Sequence, residues 1–469
     1  MKKIVSFLKT DVKIINSYFL IAVILVILIS VGYSSYALFS FTKTSNNIIE
    51  LTVGKVKTSL DESGANAPVL ASNMIPVYYD ETNEVWKKAD KSNKNEQSPW
   101  YSYNSSGEYK GMWANAVTVT STNRTKYLNV DPGTTIPMSD INTMWVWIPR
   151  FNAVTPSNYN GGTKANPNAI DVTLVKANEP ALDAFTFGDK NLSGFWYAKF
   201  ETSHTALASS TTSNNLRCTT ETCSNANGLI IKPNVTSLRY NNVSNFFYAS
   251  RSMEQIGNSF GFVKDEVDTH MSKNNEWGAV AYLTQSIYGR CASSTDCTEV
   301  GINNNTSYIT GYGAPAGSST SVANVAYNTA LGKDASTTGT IYGIYDMSGG
   351  AYEYVMGVRA DSNGNPRSGY NSSQNSGFTG MLYDGTTYTG VALPDSKYYN
   401  LYTSSSYTGH ALTETKNWYS DFASFVGSIS PWFVRGGNYK NNTIAGVFYY
   451  NARDEADGYG GMRIVITNE

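Results

Sequence analysis

IYGIYDMSGGAYEYVMG, residues 341–357, is the stretch on which the fold turns. β-Branched and aromatic residues, which suit a pleated and half-buried surface, flank Gly349-Gly350. The pattern predicts a strand, a glycine-rich turn and a second aromatic strand, with Asp346 and Glu353 on either side of the turn. Three further segments share this mixture of aromatics, glycine and acids. Upstream, GFWYAKFETS (194–203) reads as a strand that runs into Glu201. SKNNEWGAVAYLTQS (272–286) predicts an amphipathic helix, with Trp277, Val280, Ala281 and Thr284 on one face. Its Glu276 lies near the N-terminus, where the helix dipole favours a carboxylate. Downstream, FVRGGNYKN begins at Phe433 with an Arg435-Gly436-Gly437 turn, and GGMRIVI (460–466) carries Arg463 into a closing strand.

In this order the segments resemble the formylglycine-generating-enzyme-like (sulfatase-modifying factor) branch of the C-type lectin fold. That family has a VWIP-like opening strand, an F-x-x-x-K-[FY]-E-[VT]-[TS] strand and a T-E-A-E-W-E-x-A helix. G-[LI]-[YW]-D-M-x-G-N-V-x-E-W and R-G-G-S-W…G-F-R follow. The corresponding segments are VWIP (146–149), FWYAKFETS, NNEWGAVA, GIYDMSGGAYEY (343–354) and RGGNY…GMR (435–463). The resemblance covers about residues 143–467 and implies an α+β, C-type-lectin-like domain of many short strands and long loops. It implies structural roles for Glu201, Glu276, Trp277, Asp346, Gly349, Glu353, Arg435, Gly436, Gly437 and Arg463. Weak structural calcium ligation at Asp346 and Glu353 is the one cofactor role left open.

The departures bear on function. The oxygen-dependent enzymes of the family hold copper on a Cys pair near the C-terminal Arg-Gly-Gly motif, and this chain has no Cys after Cys297. His204, His270 and His410 are too dispersed in sequence to suggest a three-His iron site. Gly350 replaces the family's Asn, and Tyr354 its Trp. A retained scaffold without catalysis is therefore the expectation. Between the two arginines, Asn, Tyr and Asp occupy ten of the 22 positions in 438–459. Tyr gives large amphipathic contact area, and Asn and Asp give adaptable hydrogen bonds. An ordinary polar surface loop is the plain reading. The sharper one is a ligand-binding face of Tyr439, Asn441, Asn442, Phe448, Tyr449, Tyr450, Asn451, Arg453 and Asp454 toward a protein or glycan. The resembled branch also includes retroelement-diversified receptors whose variable positions lie in this stretch. The alternatives are a metal-dependent, oxidase-like enzyme of the same fold and a passive structural surface protein.

The remainder of the chain places that domain outside the cytoplasm. Four Lys and one Asp within residues 1–17 precede YFLIAVILVILISVGY (18–33), and no charge follows until Lys43. About 20 uncharged residues suffice to cross a bilayer, and the Lys excess keeps the N-terminus inside. A cytoplasmic 1–17, a membrane segment over 18–38 and a linker or stalk over 39–70 are expected. Single-pass anchoring with an extracellular C-terminal domain competes with secretion after cleavage at Ala37. A small β-rich region is expected over 71–142, ahead of the domain at 143–469. Cys218 and Cys223, then Cys291 and Cys297, occur as two close pairs in polar loops. Two local disulfides suit an oxidising compartment, with cross-pairing open; the spacings and the lack of nearby His argue against zinc. Without 1–37, 31 basic residues face 36 acidic ones, a net charge of −5 that excludes a phosphate-tracking, nucleic-acid-binding surface.

Overall fold

The computed structural model describes residues 38–43, 49–54, 59–207, 216–320, 325–367, 378, 381–383, 388–390, 393–453 and 456–468. They belong to two units, Met1–Ser59 and Leu60–Glu469. In the first, Leu38–Lys43 pairs antiparallel with Ile49–Gly54, so part of the expected stalk is a two-stranded ribbon. Nearly all of the expected membrane segment lies outside the described residues. Among those that are described, no helix is long and apolar enough to cross a membrane.

The second unit mixes many short strands with few helices, an α+β arrangement. Its larger sheet draws on the whole length of the unit. In chain order its strands are β1 (Ile75–Asp80), β2 (Val85–Lys88), β3 (Asn115–Val119), β4 (Ile141–Pro149), β5 (Gly194–Ala198) and β6 (Val267–Met271). A smaller sheet holds β7 (Tyr352–Arg359), β8 (Asn400–Tyr402), β9 (Trp432–Gly436), β10 (Gly446–Arg453) and β11 (Gly460–Met462). The chain then returns to the larger sheet as β12 (Ile464–Asn468). The spatial orders are β6-β12-β5-β4-β3-β1-β2 and β8-β7-β9-β10, with β11 also on β7.

This topology corrects two expectations. Strand β3 pairs with β4 from Asn115↔Val146 to Val119↔Ile141, so the boundary drawn between 142 and 143 falls inside one sheet. Residues 71–142 are its outer strands rather than a separate β-rich region. The run MWVWI then has a plain cause: Met144 to Ile148 are all buried because neighbours cover both faces of the central strands. Trp147 pairs with Trp196 of β5, their rings 5.3 Å apart. The stalk is also shorter than expected, since Leu60 is buried and Asn66 Nδ2 donates to the carbonyls of Val175 and Ser193.

Two helices pack near the sheets. α1 (Val243–Arg251) starts at Asn242, whose side chain accepts from Asn245 N, an N-cap that satisfies one orphan amide. α2 (Asn274–Thr284) follows the spacing read from sequence, and Glu276 accepts from Lys273 N at 2.7 Å. It is not amphipathic, however: every residue of α2 is buried. The sequence around it is polar enough to suggest a wet face, but the loop at Gly409–Leu412 covers it. A Cβ at Gly278 would collide with the His410 backbone. Cys218–Cys223 and Cys291–Cys297 form the two local disulfides.

Candidate ligand-binding face

The last two strands build the frame. β11 ends at Met462 in the smaller sheet and β12 begins at Ile464 in the larger, so Arg463 alone bridges them. Its guanidinium, fully buried, forms an ion pair with Glu353 of β7, with Nε to Oε2 at 2.9 Å. It also donates to the carbonyls of Ala198 and Tyr345. Burial alone would pull the guanidinium pKa down, and the Glu353 carboxylate more than reverses that. Asp346, at φ 64°, turns its carboxylate onto Asn303 Nδ2 and Gly311 N.

Glu201 Oε1 accepts from Ala351 N, and the Ser237 side chain lies beside the same carboxyl. Burial, then Asp346 and Glu353, push the Glu201 carboxyl well above the usual range. Gly349 and Gly350 both sit at positive φ, and a Cβ on Gly350 would collide with Glu201 Oε1. Glycine at 350 therefore suits this turn, where Glu201 occupies the space a Cβ would need.

Arg435 is buried beside the Trp277 ring and has no carboxylate partner among the described residues. It donates to Asn274 Oδ1 and to the carbonyls of His410 and Ala411. Burial lowers its pKa to about 10. Trp277 Nε1 donates to Val447 O, and Gly436 and Gly437, both at positive φ, turn the chain away from β9.

The expected binding face divides in two. Phe448, Tyr449 and Tyr450 are buried, and this corrects their reading as exposed ligand contacts. Neighbouring residues of a strand point to opposite faces, and both faces of β10 are covered. Phe448 packs on Trp418, Tyr449 on Phe422 and Tyr450 on Phe433. Tyr439, Asn441, Asn442, Asn451 and Arg453 are half-buried at its ends. Asn441 Oδ1 accepts from Asn438 N to hold the turn, Asn442 takes φ 48°, and Asn451 Nδ2 donates to Tyr449 OH. Asp454 lies outside the described residues.

Around Tyr439 the structure gathers partners from distant loops. Its ring meets Tyr308 edge-on at 4.9 Å, and the Arg239 guanidinium lies 3.6 Å from the Tyr308 centroid. Exposed Lys440 sits over the rings of Tyr439 and Tyr459, and its Nζ donates to Tyr459 OH at 3.1 Å. Arg239 Nη1 donates to Gly458 O, which ties this stack to the turn carrying Asp457 and Tyr459. Asp457 accepts from Tyr352 OH, and Arg453 lies 5.3 Å from the Tyr352 ring. Alternating guanidinium, phenol and ammonium groups thus end in half-exposed Tyr439, Tyr459 and Asp457. Such a surface can stack on sugar or peptide faces and donate to oxygen acceptors.

Arg239 and Tyr308 escape a reading confined to 438–459 because they lie more than a hundred residues upstream. For Tyr308 the sequence offers one signal, an Asn-rich polar stretch at 303–308; for Arg239 it offers none. Among the described residues no group of three or more His, Cys, Asp or Glu side chains is placed to hold a metal ion. No protein-family model and no curated protein matches the chain.

Proposed function

We propose that the protein is a non-catalytic, extracytoplasmic receptor or adhesin, held at the membrane by its N-terminal apolar segment. On this reading a C-type-lectin-like scaffold of the formylglycine-generating-enzyme type presents the Tyr439 cluster to a glycan or protein ligand. One observation carries it: Arg239, Tyr308, Tyr439 with Lys440, and Tyr459 come from four separated loops, yet stack into a single cation–aromatic array at the surface. Buried contacts preorganise the inner members, so little side-chain entropy is left to lose when a ligand docks.

The test is a glycan and protein array probed with the full-length protein, followed by Tyr439→Ala combined with Tyr459→Ala. Loss of two stacking rings is expected to weaken any captured ligand about tenfold or more. Undiminished binding by a double variant with an unchanged melting temperature would sink the face. Stoichiometric copper or iron in the purified protein would instead favour an enzyme.

A further inference from the structure

The smaller sheet opens at one end into a cleft of about 550 Å³. Strands β7 and β8 run parallel there, and the chain leaves them into separate loops, through Asp361 and Ser362 and through Thr403 and Ser405. Parallel strands whose following loops diverge leave a crevice beyond their carboxyl ends, a recurrent place for ligands. The approach to β9, Val426–Ser428, closes the third side.

The lining is cationic and rich in hydroxyls. Arg359 and Arg367 face a single acid, Asp361. That acid is already engaged, since its Oδ1 accepts from Asn363 N at 2.8 Å and Asn365 N at 2.9 Å. Arg367 Nε donates to Ala360 O at 3.1 Å. Arg359 Nη1 is buried and has no hydrogen-bond partner among the described residues. A buried guanidinium N–H without an acceptor is costly, and nearly all such groups in folded proteins find one. Arg359 and Arg367 thus bring two guanidinium groups to the cleft, whose one lining acid among the described residues, Asp361, is held by its own loop. Ser362, Thr403, Ser405 and Ser428 add exposed hydroxyls around the guanidinium pair.

We propose that this cleft binds an acidic saccharide. Its carboxylate or sulfate would sit on Arg359 and Arg367, whose planar forks match an oxyanion, and its hydroxyls would meet the serine and threonine rim. This second site uses loops other than those of the Tyr439 cluster and stands whether or not that cluster has a ligand.

Titration calorimetry of the full-length protein with glucuronate, inorganic sulfate, inorganic phosphate and glucose tests it. Saturable one-to-one binding of glucuronate is expected, with weaker binding of the two inorganic anions and none of glucose. Arg359→Met and, separately, Arg367→Gln are expected to weaken glucuronate at least tenfold, with the circular-dichroism spectrum unchanged. Inorganic sulfate binding as tightly as glucuronate would overturn the saccharide assignment. Absence of saturable binding by all three acids, or affinity unaltered in whichever arginine variant folds, would overturn the site.

Discussion

Arg435, in Arg-Gly-Gly, and Arg463, in Gly-Met-Arg, are both buried, yet their surroundings assign them different energetics. Arg463 faces a carboxylate that is itself fully enclosed, so removing either partner strands a buried charge. Arg435 is held by carbonyl oxygens and an amide, and its removal strands only neutral acceptors. Arg463→Met should therefore cost about 3–5 kcal/mol, and Arg435→Met about 1–3 kcal/mol. Urea unfolding midpoints of the two variants check the order, and equal losses would refute the sheet-bridging role given to Arg463. Both arginines were legible as structural in the sequence. The partner of each was not, because Glu353 lies 110 residues from Arg463 and the contact forms only once two sheets have met. Tyr449 and Tyr450 show the same limit from the other side. Their side chains alternate in direction, but only packing decides whether both faces are covered.

Strand β6 carries a buried ionic cluster that no local pattern announced. His270 is fully enclosed, with Nδ1 2.9 Å from Asp268 and Nε2 3.0 Å from Glu276, and its ring stacks 4.7 Å from Phe187. Arg251, Lys397 and the Tyr398 hydroxyl also face Asp268, while Lys273 faces Glu276. Burial alone would lower the His270 pKa, but Glu276 and Asp268 outweigh it and raise it. Burial likewise works to raise Asp268, yet His270 and Arg251 bring it down to about 2. Glu276 is lowered in the same way, its burial overcome first by His270 and then by Lys273.

The signs set a window. The His270 contribution is complete below its unfolded pKa of about 6.5 and is lost as pH rises through the higher folded value. The carboxylate contributions are complete above about pH 4 and are lost as pH falls through the folded values. For His270, Asp268 and Glu276 together, stabilisation is greatest between about pH 4 and 6.5, while Glu254 beside Arg251, raised by burial to about 7, favours the lower end of that window. Thermal melts from pH 4 to 9 should show His270→Gln losing most stability in that window and the least at pH 9. A variant penalty independent of pH would contradict an imidazolium at this position.

At the scale of the whole unit, the larger sheet takes strands from residue 75 to residue 468, so no internal cut is harmless. A fragment starting at residue 143 lacks β1, β2 and β3 and exposes the long apolar edge of β4. Such an edge templates aggregation. That fragment is expected to be insoluble, or to lack a cooperative melt, whereas a chain starting at residue 60 keeps the entire sheet. Comparing the two by sedimentation and thermal melting tests this, and a soluble, cooperatively melting 143–469 fragment would refute it.

What the sequence determined by itself was local: most β-branched and aromatic runs as strands, though Ile341–Tyr345 forms none, paired glycines as turns, an acid at a helix start, close cysteine pairs as loop closures. Each follows from backbone sterics or short-range bonding within a few residues. Tertiary structure alone decided which strands share a sheet, which tyrosines are enclosed, and that Arg239 and Tyr308 join Tyr439. Those outcomes depend on burial between segments from about fifteen to more than two hundred residues apart, beyond the reach of local backbone preferences.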